Sequence, residues 1–324
     1  MKKFIKYLIY FALPFIAIVA FFEIYLRQID TTYTEKEKEI LQDQKKIEVL
    51  ILGNSRATLG IDPNQFEVHA FNLANVAQPL YYDKRIALKH LDKLTNLKYV
   101  FITVDATSLN YSRMDSRAIW SYYGNGVEYE NEMPFLSKWS YLEGYSASIA
   151  IHLLKNDISG KFKTIKAIDL DDEHKLDMPI KKGFFTYKNS REEGMSPEHI
   201  LVRANQGKDD GDSPEKKEIV NDLEDFIKTL KAKNITPILI TMPCYEDYVK
   251  MLHKNVIKRS ESDFKNLAEK FNLEYWNYLN HPMKRTDFHD CDHLNINGAV
   301  KFSKVLNDRL KEKMKADKLL SGNK

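Results

Sequence analysis

A seven-residue stretch, Val49-Leu50-Ile51-Leu52-Gly53-Asn54-Ser55, constrains the chain more than any other. Four apolar residues in a row suit a short parallel strand covered on both faces. Gly53 lets the backbone bend sharply where the strand ends. Ser55 then sits at the carboxyl edge of a sheet, where open α/β folds place their sites.

Further short apolar runs repeat this pattern. Ala70–Ala74, Tyr99–Val104, Pro237–Thr241 and Leu273–Tyr278 read as strands. Helical periodicity separates them: Ala87, Leu91 and Leu94 share one face of a helix over 83–94, and Ile219, Leu223, Phe226 and Leu230 share a face over 216–231. A long helix is expected over 246–271. A last one, capped by Asn295 or Asn297, carries Ala299, Phe302, Leu306 and Leu310. Strands alternating with helices predict an α/β fold: a three-layer, flavodoxin-like parallel sheet. Residues 106–214 break the pattern and read as a mid-chain insertion over the sheet's active edge, with helical stretches around 113–123 and 137–155. Its aromatics, Trp120, Tyr122, Tyr123, Trp139 and Tyr141, suit either stacking on sugar rings or a small core of the insertion's own. The acidic run 169–173 has metal-ligand types but reads as an exposed loop rather than a metal site.

The amino terminus reads as a transmembrane helix. Tyr7 to Phe22 carries no charge, and the run resumes after Glu23 as far as Leu26. Such a length spans a hydrocarbon core. Lys2, Lys3 and Lys6 precede it and only Arg27 closely follows, so the positive-inside bias places the amino terminus in the cytoplasm and the globular part outside, in the periplasm or at the cell surface. The run is long for a cleaved signal peptide, and Ile18 and Ala20 make a poor cleavage site. The layout is then 1–27 cytoplasmic start and anchor, 28–46 a solvated stalk or juxtamembrane helix, 47–312 the α/β domain with its insertion, and 313–324 a frayed basic tail. A net charge of +3, from 49 basic and 46 acidic residues, gives no broad basic excess for nucleic acid.

A serine nucleophile needs a base, and the base needs a carboxylate to hold its tautomer. Asp290-Cys291-Asp292-His293 supplies both in one turn before the last helix. His281, Asp287, His289, Asp292 and His293 also hold metal-ligand types, but they lack a regular ligand spacing, so neither a metal nor a cofactor is expected. Cys244 and Cys291 both follow strand ends beside the site; in an exported chain they either pair or stay as two buried thiols. Gly211-Asp212-Ser213 lies in a hydrophilic loop with no strand before it, and Ser213 reads as a helix cap rather than a nucleophile.

The pairing of Gly53-Asn54-Ser55-Arg56 with Asp290–His293, Leu294-Asn295 and Gly298-Ala299 resembles the SGNH/GDSL hydrolase superfamily, with Asn54 where that family usually has Asp. The resemblance covers roughly 47–110 and 235–310. It implies Ser55 as nucleophile, His293 as base and Asp290 as the orienting acid. It implies an oxyanion hole from the Ser55 N–H and a second-block N–H at Ala77, beside Asn75, where glycine is usual. The family's third-block asparagine has no counterpart: the third strand ends in Val104-Asp105, and a carboxylate there is expected to repel an oxyanion. Losing one such donor costs about 10²–10³ in rate.

The layout is similar to that of membrane-anchored bacterial members of the family, some of which act with membrane-bound O-acyltransferases. The expectation is an exported, anchored serine esterase or O-acyltransferase acting on acyl groups of envelope glycans or polymers. The alternative is a catalytically weak or inactive partner that binds a polysaccharide or a membrane O-acyltransferase.

Overall fold

The computed structural model describes residues 2–109, 122–127, 140–142, 147–159, 178–206 and 214–322. Its centre is a five-stranded sheet: β1 (Val49–Leu52), β2 (Ala70–Asn72), β3 (Tyr99–Thr103), β4 (Thr236–Thr241) and β5 (Glu274–Asn277). The order is β2-β1-β3-β4-β5 and every pairing is parallel. The chain steps outward from β1 to β2 and then crosses back to β3. The carboxyl ends of β1 and β3 therefore flank the switch point, where an open α/β sheet leaves a crevice.

All four β1 residues are fully buried because the sheet is covered on both faces. Alternate side chains enter separate cores. Leu50, Leu52, Val100, Ile102 and Leu239 meet α4 (Leu80–Leu91), α7 (Pro214–Ala232) and α9 (Lys254–Phe271) on one side. Val49, Ile51, Phe101, Ile238 and Ile240 meet α3 (Ser55–Gly60) and α10 (Ile296–Gly322) on the other. The predicted apolar faces of α7 and α10 are the buried ones. The helix expected over 246–271 is two: α8 (Glu246–Met251) ends before α9, with extended backbone at Leu252 and His253.

Two expectations are corrected. Residues 28–46 hold a helix, one of the two expected forms, but are not a solvated stalk. They form α2 (Thr32–Asp43), which packs on the α/β body through Ile40 and Lys36, 0% and 1% exposed. The buried Lys36 ammonium is satisfied by Thr58 Oγ1 at 2.7 Å and by the Ala74 carbonyl, so a charged sequence hides a buried face. The tail does not fray at 313 either. α10 continues to Gly322, held by Lys313 to Asp317 at 2.8 Å and by Tyr99 Oη donating to Asp317 at 2.9 Å.

α1 (Lys2–Leu26) contains the one stretch among the described residues long and apolar enough to cross a membrane or serve as a signal, Lys3–Leu26. Its far end is docked on the body. Leu26 packs with Ala150 and Leu153 of α5 (Ala147–Ile158), and Glu23 accepts the N–H groups of Tyr141 and Leu142 at 2.9 and 3.0 Å. Of the insertion's aromatics, Tyr122 is buried and stacks on Tyr82 with ring centroids 3.8 Å apart; it serves the core. Trp120, Trp139, the run 169–173 and Ser213 lie outside the described residues. α6 (Pro197–Asn205) and the segment before it lean on the loop ahead of α10.

Gly53 fixes the turn after β1. Its φ is +137°, and a Cβ there would stand 1.7 Å from Thr103 Oγ1. Gly53→Ala is expected to destabilise the chain by about 2–6 kcal/mol, combining backbone strain with overpacking. Thermal unfolding of the purified full chain checks it; an unchanged Tm contradicts this description of the turn.

Candidate active site

β1 ends, Gly53 turns the chain, and Asn54 caps α3 by accepting the Arg56 N–H at 3.1 Å. Ser55 is therefore the first helical residue, its hydroxyl raised above the sheet edge. The partner loop is built by its own hydrogen bonds. Asp290 Oδ1 accepts the backbone N–H groups of Asp292 and His293 at 3.0 and 2.9 Å, curling four residues into one turn. Asn295 then caps α10 by accepting from Asn297 and Gly298 N–H, while its amide donates to the Thr286 and Phe288 carbonyls.

The structure brings Ser55, His293 and Asp290 together. His293 Nδ1 lies 2.9 Å from Asp290 Oδ2, and Nε2 lies 2.8 Å from Ser55 Oγ. An ionised carboxylate only accepts, so Nδ1 carries the proton and Nε2 is left to accept from the hydroxyl. Burial pushes the His293 imidazolium toward deprotonation, but the Asp290 and Asp292 carboxylates outweigh it and hold its pKa above the ordinary 6.5.

Ala77 also reaches the cleft, with φ +51°. That left-handed conformation favours glycine, and alanine there costs about 1–2 kcal/mol. Neither the Ser55 nor the Ala77 backbone N–H meets an acceptor among the described residues. Asn75 is not brought to the cleft. It is 2% exposed, its N–H donates to the Gly53 carbonyl at 3.0 Å, and its Oδ1 finds no partner among the described residues.

The expected repulsion from Asp105 is corrected, because its carboxylate is fully engaged. It pairs with Arg56 at 3.0 Å, accepts from Asn54 Nδ2 at 2.6 Å, and accepts the Thr107 N–H and hydroxyl at 2.8 and 2.7 Å. Burial raises the Asp105 carboxyl, but Arg56 and these donors leave it below the usual range. The same pairing explains Asn54: an aspartate there would set two carboxylates against each other.

Arg56 is the residue that the sequence reading passed over. Besides Asp105 it binds Asp292 at 3.0 Å and donates to Tyr248 Oη at 3.1 Å. Arg203 of α6 reaches the same Asp292 Oδ2 at 3.1 Å. Burial works against the Asp292 charge, yet His293 and the two guanidiniums hold its carboxyl far below the usual range. No local pattern announces these contacts; Arg immediately after a candidate nucleophile was the only available signal.

The metal-ligand types in this loop have other partners. Asp290, Cys291 and Asp292 bring ligand atoms within 4.8 Å of one another, but Asp290 already accepts from the His293 ring and Asp292 is paired with Arg56 and Arg203. His289 Nδ1 lies 2.8 Å from the Asn189 carbonyl, and its ring stacks on Tyr187 at 3.8 Å. Cys244 and Cys291 are buried free thiols. The cleft beside Ser55 has a volume of about 420 Å³, and its walls include Ala77, Asp83, Thr107, Tyr187 and Arg203. An ester carbonyl set over Ser55 would meet a hydroxyl, the imidazole bonded to it, and two N–H groups that find no acceptor among the described residues.

Arg56→Met keeps bulk but strips Asp105 of its cation. A loss of about 3–5 kcal/mol is expected for breaking a buried pair, read as a lowered Tm. A variant as stable as wild type removes Arg56 from this role.

No protein-family model matches the chain, and no curated protein does. Solved structures similar to it include a GDSL-like lipase from Bacteroides thetaiotaomicron, with TM-score 0.38 and 10% identity over 86% of this chain and 98% of that one. A psychrotrophic esterase from Pseudoalteromonas sp. gives 0.37 and 12% over 83% and 97%. A carbohydrate acetylesterase from Sinorhizobium meliloti gives 0.38 and 9% over 82% and 99%.

Proposed function

We propose that this chain is a serine esterase or O-acyltransferase of the SGNH type, held at a membrane by α1 and acting on acyl groups of cell-envelope glycans or polymers. The observation that carries the reading is the contact chain from Asp290 through His293 to Ser55, at 2.9 and 2.8 Å. Ser55 Oγ attacks the acyl carbon while His293 Nε2 takes its proton. Asp290 keeps the imidazole in the required tautomer and stabilises the cation that forms. The Ser55 and Ala77 N–H groups receive the oxyanion. His293 then protonates the departing alkoxide, leaving an acyl-serine. Water or a sugar hydroxyl, deprotonated by His293, completes hydrolysis or transfer.

Arg56 supports the same reading. It neutralises the carboxylate that would otherwise stand near the developing negative charge. The anchor reading places the amino terminus in the cytoplasm and the body outside, alongside envelope polymers and within reach of a membrane-bound O-acyltransferase.

Turnover of p-nitrophenyl acetate by the purified full chain tests the activity. Ser55→Ala is expected to lower kcat by at least about 10³-fold with Tm unchanged; equal turnover by wild type and variant sinks the reading, and a wild type without turnover points to the non-catalytic alternative. The base must be neutral, so kcat/KM should rise with pH through the His293 pKa, with a midpoint above 6.5. Asp290→Asn removes one of the charges that raise it and should move that midpoint down. A midpoint that stays put argues against this carboxylate's role. For the anchor, protease added outside intact cells should digest the body; a body protected until the membrane is opened reverses the orientation.

A further inference from the structure

Asp83 is a buried carboxylate that the chemistry above leaves unused. It lies in the first turn of α4, is 1% exposed, and nevertheless forms part of the cleft wall. One of its oxygens, Oδ1, accepts two hydrogen bonds: the Gly53 N–H at 2.9 Å and Gln78 Nε2 at 2.6 Å. Gly53 precedes Ser55 by two residues, and Gln78 directly follows Ala77. A single oxygen atom therefore joins the turn that carries Ser55 to the loop that carries Ala77.

The surrounding bonds make this joint stiff. The Asn75 N–H donates to the Gly53 carbonyl, and the Gln78 N–H to the Asn75 carbonyl at 3.2 Å. Gln78 Oε1 accepts from Tyr122 Oη at 3.0 Å. Taking Ser55 as nucleophile and the Ser55 and Ala77 N–H groups as the oxyanion donors, we propose that Asp83 is a positioning residue: it sets the spacing of the two donors by clasping their segments through Oδ1.

A purely structural account fits less well. An acid in a first helical turn complements the helix end, but an exposed one would do, without an oxygen aimed at Gly53. Asp83 Oδ2 has no partner among the described residues, and burial holds the carboxyl up at about 7 against both donors. Such a group costs stability, and the joint across the two loops is what it supplies in return.

The test uses the purified full chain, a fluorophosphonate that modifies the active serine, and p-nitrophenyl acetate. Asp83→Ala should slow phosphonylation of Ser55 and lower kcat by about 10²-fold, the scale of one lost oxyanion donor, with KM within about threefold. Asp83→Asn keeps an acceptor oxygen at the same place and should recover most of that loss. Unfolding is followed for each variant. Should Asp83→Ala not fold, Gln78→Leu carries the test, since it removes one arm of the clasp and should lower kcat by about tenfold. Wild-type rates in a folded Asp83→Ala, or damage by Asp83→Asn equal to that by Asp83→Ala, overturn the proposal alone. A wild type that is not labelled at Ser55 overturns the nucleophile reading together with it.

Discussion

Arg56 is the charge around which this site is assembled. Its guanidinium reaches Asp105 at the end of β3, Asp292 in the loop before α10 and Tyr248 in α8. Two buried carboxylates beside a histidine would be costly without it. With it, and with Arg203 also on Asp292, segments distant in sequence are held in one place, and His293 is set against Ser55 from across the sheet edge. The ion pairs are weak evidence of stability in themselves. Their value here is geometric, because breaking one leaves a carboxylate uncompensated within the site.

How much of this could be read from the residues depended on how local the cause was. The strand and turn at Val49–Ser55 were legible because an unbroken apolar run is what a doubly covered parallel strand requires. Asp290 and His293 were legible because their contact closes within a single turn. The sheet order followed from the alternation of strands and helices. What escaped was decided between distant segments. The charged run 35–39 spelled solvent, and nothing local revealed that Lys36 finds Thr58 and the Ala74 carbonyl. The basic tail looked frayed because Asp317 meets Tyr99 only in the fold. Asp105 looked like a defect in the oxyanion hole because its partner, Arg56, reaches it only once β1 and β3 are paired.

Unfavourable local features gather around Ser55. Ala77 holds a positive φ, Gly53 fits against Thr103 without room for a Cβ, and Asp83 and Asn75 each keep a buried oxygen without a partner among the described residues. Positive φ also occurs at Lys182, Asn234 and Asn272, and Gly183 and Gly298 are fitted as tightly as Gly53; what sets this region apart is that such features and these two buried oxygens meet around one hydroxyl. The docked end of α1 adds a constraint of another kind. Glu23 and Leu26 tie the apolar helix to the body, so the body is not strung on a loose tether.

The most direct measurement of the central claim is the mass of the purified full chain after reaction with a fluorophosphonate, followed by peptide mapping. A single adduct on the peptide containing Ser55, abolished in His293→Ala, is the predicted result. No adduct, or an adduct mapped to another serine such as Ser213, would contradict it.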